Sequence, residues 1–363
     1  MTSRERVFAA SRRDPTDRLP VGLYMANHST VAVGGRLDEC CTNARALADA
    51  QLRAYEAYGQ DVVIAQCDNY YMAEAFGCVA EFYADTPPEL VRPAFRNVSD
   101  AASVKPVDPL SDGRMHVYLD AIRILSERLG EEAAIRGCGT GPFVLCGHLF
   151  GVENFIMQIA DAFYGDTECE ERVNDLLEVG RETLRRFVAL QLEAGASIVQ
   201  CADSTASLDM ISPEMYRRYV YPVERRFFTD IGPLCDRYRA AGLLHICGDT
   251  TEILPDMADT GAHILEIDHK LDLAHAKRAV GDRVCLLGNL NPAGELLHGD
   301  PEAVDRAVVT CIEDAGHGGG FILGSGCEVP INAPVENVKR AIETGKTTRL
   351  PTDRTRTDRR RTE

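Results

Sequence analysis

Nowhere in the 363 residues does an uncharged apolar run reach the roughly 18 residues of a membrane-spanning helix. The opening "MTSRERVFAASRRDPTDR" is charged and lacks the apolar core of an export signal. A cytoplasmic protein with no membrane partner is therefore expected. Basic charge is scarce as well: 39 Lys and Arg stand against 56 Asp and Glu, for a net charge of −17. The segment "KTTRLPTDRTRTDRRRTE" (346–363) holds seven basic and three acidic residues, so it carries +4 and residues 1–345 carry −21. An acidic body argues against nucleic acid and against polyanionic substrates. The 346–363 segment has no apolar residue beyond Leu350 and reads as a disordered, solvated basic tail. No strand-like run opens into a Gly-x-Gly-x-x-Gly turn, so an open dinucleotide-binding sheet lacks support.

Thirteen cysteines are present, an odd number scattered through apolar runs such as "VCLLG", "IVQCAD" and "FVLCG". Without an export signal they read as reduced thiols, most of them packed in the core.

The dominant pattern is a short apolar run followed by a longer amphipathic stretch. The runs are Val21–Met25, Asp61–Gln66, Ala134–Gly137, Ser197–Ala202, Leu243–Cys247, Ile264–Ile267, Val284–Gly288 and Phe321–Gly324. The stretches between them include Thr42–Tyr58, Tyr118–Leu129, Val173–Leu192, Pro213–Arg239 and Pro301–Asp314. Ser212-Pro213-Glu214 and Asp300-Pro301-Glu302 supply a capping side chain and then proline at the first helical position. Eight such alternations imply an α/β fold, a single (β/α)8 TIM-type barrel over residues 1–345. It has an insertion, Asn69–Asp112, after strand 2 and an extra helix, Val152–Ala162, after strand 3.

In such a barrel the chemistry gathers at the C-terminal ends of the strands. There the sequence places Asn27-His28, Cys67-Asp68, Asp203-Ser204, His245 and Cys247, Asp268-His269, Asn289 and Asn291, and Cys327-Glu328. His245 and Cys247 stand two apart on a strand, so imidazole and thiol project from one face. Cys327 lies on the same rim, past "GSG". Either strand alone would as readily carry a packed thiol or a hydrogen-bonded imidazole. The three together form a Cys2His set, the ligand type of a zinc ion with one open position. Asp68 and Asp203 are the candidate catalytic carboxylates, with a turn or helix cap as their structural alternative. Asn27 and Asn289 are the candidates for substrate contact, and no residue is singled out for binding a cofactor.

Several segments resemble the uroporphyrinogen decarboxylase superfamily: "SRERVFAA", "EAFGC", "AGASIVQCADSTASLDMISPEMYRRYVYP", "LLGNLNPAGELLHGDPEAV" and "GFILGSGCEVPINAPVENVKR". "HICGDT" with the distant Cys327 resembles its zinc-dependent branch, the methylcobamide:thiol (coenzyme M-type) methyltransferases. The resemblance runs from about Thr2 to Lys346. It implies a TIM-type barrel with His245, Cys247 and Cys327 on zinc and a small thiol as fourth ligand. It further implies methyl transfer from a methyl-corrinoid such as methylcobalamin, brought by a corrinoid carrier protein. No Asp-x-His-x-x-Gly segment occurs in the chain, so the corrinoid is expected as a co-substrate, free or on a partner. Two alternatives remain. One is decarboxylation of a porphyrinogen-like acid, disfavoured because the stretch "VGLYMANHSTVAVGGRLDE" offers only Arg36 where the decarboxylase members of the superfamily carry paired arginines. The other is a demethylating enzyme that delivers methyl groups to a corrinoid protein. Oligomeric state is not legible.

Overall fold

The computed structural model describes residues 1–101 and 103–350. Its strands are β1 (Val62–Ile64), β2 (Val79–Glu81), β3 (Glu89–Arg92), β4 (Ala134–Arg136), β5 (Ile198–Ala202), β6 (Ala241–Ile246), β7 (Ile264–Ile267), β8 (Cys285–Leu290) and β9 (Phe321–Ser325). Seven of them form one curled sheet in the order β1-β4-β5-β6-β7-β8-β9. Every pair in it is parallel. Helices connect these strands, as the alternating sequence pattern requires. The result is a TIM-barrel-like α/β fold. Between β1 and the helix Met115–Leu129, β2 and β3 form an antiparallel hairpin.

The expected first strand, Val21–Met25, is reduced to a single parallel bridge between Val21 and Leu323. Residues 20–22 nevertheless reach both neighbours. Gly22 N donates to Leu323 O, Leu323 N to Pro20 O, and Asp61 N to Val21 O. The ladder stops for two reasons. Pro20 has no N–H to give, and the N–H of Val21 goes to the Asp61 carboxylate at 2.8 Å instead of a strand carbonyl. Beyond it, Ala26–Ala32 is a helix, so Asn27 and His28 lie on a helix and not at a strand end.

Alternation along the strands separates two packed faces. Ile64, Ala134, Ile198, Leu243, Ile264, Leu287 and Ile322 form one buried cluster, which Val7 and Ala10 of the helix Ser3–Ser11 join. The residues of opposite parity, among them Val63, Ile135, Val199, Leu244, Leu265 and Leu323, pack with the helices. The caps expected at Ser212 and Asp300 are formed, accepting from Met215 N and Ala303 N. The last helix, Val335–Thr347, runs two residues into the basic segment. Residues 351–363 of that segment lie outside the described residues. Among the described residues no single helix is long and apolar enough to cross a membrane.

Asp61 ties the N-terminal segment to β1. Its buried carboxylate accepts from Ser3 Oγ (2.6 Å), Arg6 Nη1 (3.0 Å), both Arg18 Nη atoms (2.7 Å) and Val21 N (2.8 Å). Burial works against this charge, but the Arg18, Ser3 and Val21 contacts outweigh it and lower the pKa. A folded-state pKa below the unfolded one gives stability that is complete above the unfolded value and is lost as pH falls. Asp61→Asn is therefore expected to cost about 2 kcal/mol at pH 7, the loss of charge-assisted bonds. The difference from wild type should shrink below about pH 4. Urea denaturation midpoints of both proteins across pH 3–8 check this, and a pH-independent gap would refute it.

Candidate metal centre

β6 and β9 are separated in the sheet by β7 and β8, yet its curl brings their ends together. His245 Nε2 lies 2.9 Å from Cys247 Sγ, and Cys247 Sγ lies 3.2 Å from Cys327 Sγ. All three donor atoms fall within 4.8 Å of one another. His245 is buried, while Cys247 and Cys327 are partly exposed. One nitrogen and two sulfurs make a donor set suited to a borderline-soft divalent ion such as zinc, with room for a fourth ligand.

What holds these atoms lies one layer deeper. The residues that follow the apolar interior cluster at inward positions are polar: Gln66, Arg136, Gln200, His245 and Glu266. Register sets His245 beside Glu266 across the β6–β7 pair. His245 Nδ1 is 3.1 Å from Glu266 Oε2 and 3.2 Å from the Glu266 carbonyl. A proton on Nδ1 leaves the Nε2 lone pair for a metal. Arg136 holds Glu266 through two bonds, Nη1 to Oε1 at 2.5 Å and Nη2 to Oε2 at 2.7 Å. Arg136 Nε donates to Gln200 Oε1 at 2.7 Å, and Gln200 Nε2 to Gln66 Oε1 at 3.1 Å. The Tyr24 ring covers the guanidinium, with 4.7 Å from Cζ to its centroid. Burial opposes charge on Glu266, but Arg136 and then His245 outweigh it and lower its pKa. Burial likewise disfavours charge on His245, and the Glu266 and Cys327 charges overcome it and raise the pKa.

The two sulfurs divide their roles. The hydrogen bond from Cys247, aided by that from His245, holds the Cys327 thiol down at about 5. The same bond, together with burial, pushes the Cys247 thiol well up, and Ser204 partly offsets it. Glu328, next to Cys327, accepts from Asn27 N at 2.8 Å. Burial raises its carboxyl to about 7 against the Asn27 hydrogen bond, and the Cys327 charge adds to the rise.

The other expected residues occupy neighbouring networks. Asp203 is wholly buried, and its Oδ1 accepts from Phe143 N (2.9 Å) and Val144 N (3.0 Å) at the start of the helix Pro142–Phe150. A Cβ at Gly141 would meet that carboxylate at 2.2 Å, so the close approach requires glycine. Burial raises Asp203 to about 6, opposed by those two backbone bonds. Its main-chain N donates to His245 O at 2.9 Å. Asp68 accepts from Tyr70 N, Tyr71 N, Arg114 and the Tyr118 hydroxyl. Asn289 spends its amide on the carbonyls of Asp268 (3.1 Å) and Leu271 (2.8 Å). Asn27 is beside Glu328. The structure thus brings His245, Cys247 and Cys327 together with Asn27 nearby, and engages the side chains of Asp68, Asp203 and Asn289 in the fold. Tyr24, Arg136 and Glu266 were not among the residues placed at the strand ends from sequence, and Glu328 was placed there only as the neighbour of Cys327. For Arg136 and Glu266 the signal was a charged residue inside an apolar run, as in "AIR" and "ILEI".

A curled parallel α/β sheet with an N,S,S donor set at its strand ends defines a TIM-barrel-like protein with three side chains that could hold a metal ion. Residues 2–348 match the family described as uroporphyrinogen decarboxylase (URO-D), and the chain belongs to that family. It is 29% identical over 350 residues to the methylcobamide:CoM methyltransferase MtbA of Methanosarcina acetivorans, covering 95% of this chain and 98% of that one. It is 27% identical over 345 residues to a uroporphyrinogen decarboxylase of Thermus thermophilus, covering 93% and 96%. A solved methyltransferase from Methanosarcina mazei superposes with a TM-score of 0.83 at 26% identity, covering 95% of this chain and 98% of that one.

Proposed function

We propose that this chain transfers a methyl group from a methyl-corrinoid to a small thiol bound at His245, Cys247 and Cys327. The similarity to methylcobamide:CoM methyltransferases and to a solved methyltransferase favours this over decarboxylation, and the observation that carries the reading is the convergence of these three side chains at the strand ends. Zinc held there would keep the incoming thiol deprotonated near neutral pH. The protein's part is to hold three donors rigidly, with Glu266 fixing the tautomer and orientation of His245. The thiolate sulfur attacks the methyl carbon and a carbon–sulfur bond forms. The carbon–cobalt pair stays on the corrinoid, taking cobalt(III) to cobalt(I), and the thiol proton goes to solvent. The corrinoid is a co-substrate, free or carried by a separate protein. A porphyrinogen decarboxylase reading is opposed by the acidic strand-end loops, which would repel a polycarboxylate.

Asp203 acts in this reading by position. Its carboxylate anchors the helix Pro142–Phe150, and its main chain meets His245. Asp203→Asn is expected to retain zinc and lose at least about tenfold in turnover, as for other groups that orient a metal site from behind it. Unchanged kinetics would leave Asp203 a helix cap alone. Asp68, held by Arg114 and Tyr118, is proposed to order the adjoining wall in the same way. For Asn289 the proposal is likewise one of support, through the 268–271 loop.

The test of the main reading is incubation of the zinc-loaded protein with methylcobalamin and a thiol, following the cobalt spectrum. Thiol-dependent demethylation is expected. Thiol binding alone should release about one proton per thiol near pH 7, because a free thiol of pKa about 8.5 is mostly protonated there. Demethylation without proton release would place thiol activation elsewhere.

A further inference from the structure

The charge around the centre bears on which thiol it takes. The segments at the C-terminal ends of the seven-stranded sheet, with the one that follows residues 20–23, are 24–35, 65–77, 137–151, 203–215, 247–256, 268–272, 290–299 and 326–334. Together they hold twelve Asp and Glu, a single lysine and no arginine. That lysine, Lys270, is paired with Asp209 at 2.8 Å. Of the cations that reach in from elsewhere, Arg136 is committed to Glu266 and Arg114 to Asp68 and Glu74. His269 Nδ1 lies 2.8 Å from Asp268. The helix start that would suit an anion, Pro142–Val144, is already filled by the Asp203 carboxylate. A thiol with a sulfonate, phosphate or lone carboxylate would find its charge opposed.

Acceptors, in contrast, adjoin Cys327. Glu328 follows Cys327 directly, and its carboxylate accepts from Asn27 N. The Oδ1 of Asn27, 5% exposed, is buried and finds no partner among the described residues. A buried acceptor without a donor is costly unless a ligand supplies one.

Resting on the methyl-transfer reading above, we propose that the acceptor is a small aminothiol, its protonated amine received by Glu328 and by Asn27 Oδ1 while its sulfur enters the His245–Cys247–Cys327 centre. The amine adds the donors that this corner lacks and the positive charge that the mouth favours.

Three two-carbon thiols that differ only in their far end give the test: 2-aminoethanethiol, 2-mercaptoethanol and 2-mercaptoethanesulfonate. Each is titrated calorimetrically into the zinc-loaded full chain and into Glu328→Gln, with zinc content measured in both. In wild type, 2-aminoethanethiol should bind at least tenfold more tightly than 2-mercaptoethanesulfonate. In Glu328→Gln its affinity should fall about tenfold, with 2-mercaptoethanol changed less than twofold. Comparing each thiol across the two proteins cancels differences in thiol acidity and amine chelation. Equal or tighter binding of the sulfonate in wild type would overturn the inference, whether or not the variant folds. So would a variant that weakens all three thiols alike, and in both cases the methyl-transfer reading would stand. Failure of all three thiols to bind with proton release would instead remove the thiol reading, and this inference with it.

Discussion

Wild type is expected to purify with close to one zinc per chain, and Cys247→Ser and Cys327→Ser are each expected to lose most of it. Three protein donors on two strand ends supply the site, and serine replaces a thiolate with a hydroxyl that is a poor ligand for a borderline-soft ion. Two remaining donors hold zinc weakly, since affinity falls steeply with each ligand removed. Both sulfurs lie at the mouth, partly exposed, outside the apolar clusters. The variants should therefore keep the wild-type far-ultraviolet circular dichroism. Metal analysis after dialysis against a weak chelator decides the matter, and full zinc retention by both variants would refute the assignment.

Arg136→Met should be the most destabilising of the substitutions considered, at about 3–5 kcal/mol, the usual result of removing one partner of a buried ion pair. Arg136 is 1% exposed and Glu266 is fully buried, and the two share a bidentate contact in the layer above the apolar interior. Without the guanidinium, Glu266 is left with a charge that burial opposes, and it must take up a proton or admit water. Gln200 and the Tyr24 ring lose their partner as well. Because Glu266 orients His245, zinc affinity should drop with stability even though Arg136 touches no donor atom. In Arg136→Met/Glu266→Gln the unpaired charge is gone, so that protein should recover part of the stability. A double variant no more stable than Arg136→Met alone would show that packing, and not charge, is what Arg136 provides. Urea denaturation of the three proteins measures it.

The strand–helix alternation and the pairing of His245 with Cys247 were legible in the sequence because both are local. Period-2 geometry puts residues i and i+2 on one face whatever the rest of the chain does, and amphipathic stretches mark their own helices. Cys327 could be placed on the same rim because strand order follows chain order in a barrel. The expected first strand failed for a reason no local pattern carries. The Asp61 side chain, 40 residues away, takes the Val21 N–H that a ladder would need. Asp68 and Asp203 were legible as carboxylates at strand ends, but their partners were not. Arg114 and Tyr118 meet Asp68, and the N–H groups of Phe143 and Val144 meet Asp203, only after the chain has folded. The same holds for the layer behind His245, Cys247 and Cys327. Arg136 and Glu266 are 130 residues apart, each a lone charge in an apolar run. What joins them to His245 is the parallel register of β4 through β7 around a packed interior, where a buried charge without a partner is costly.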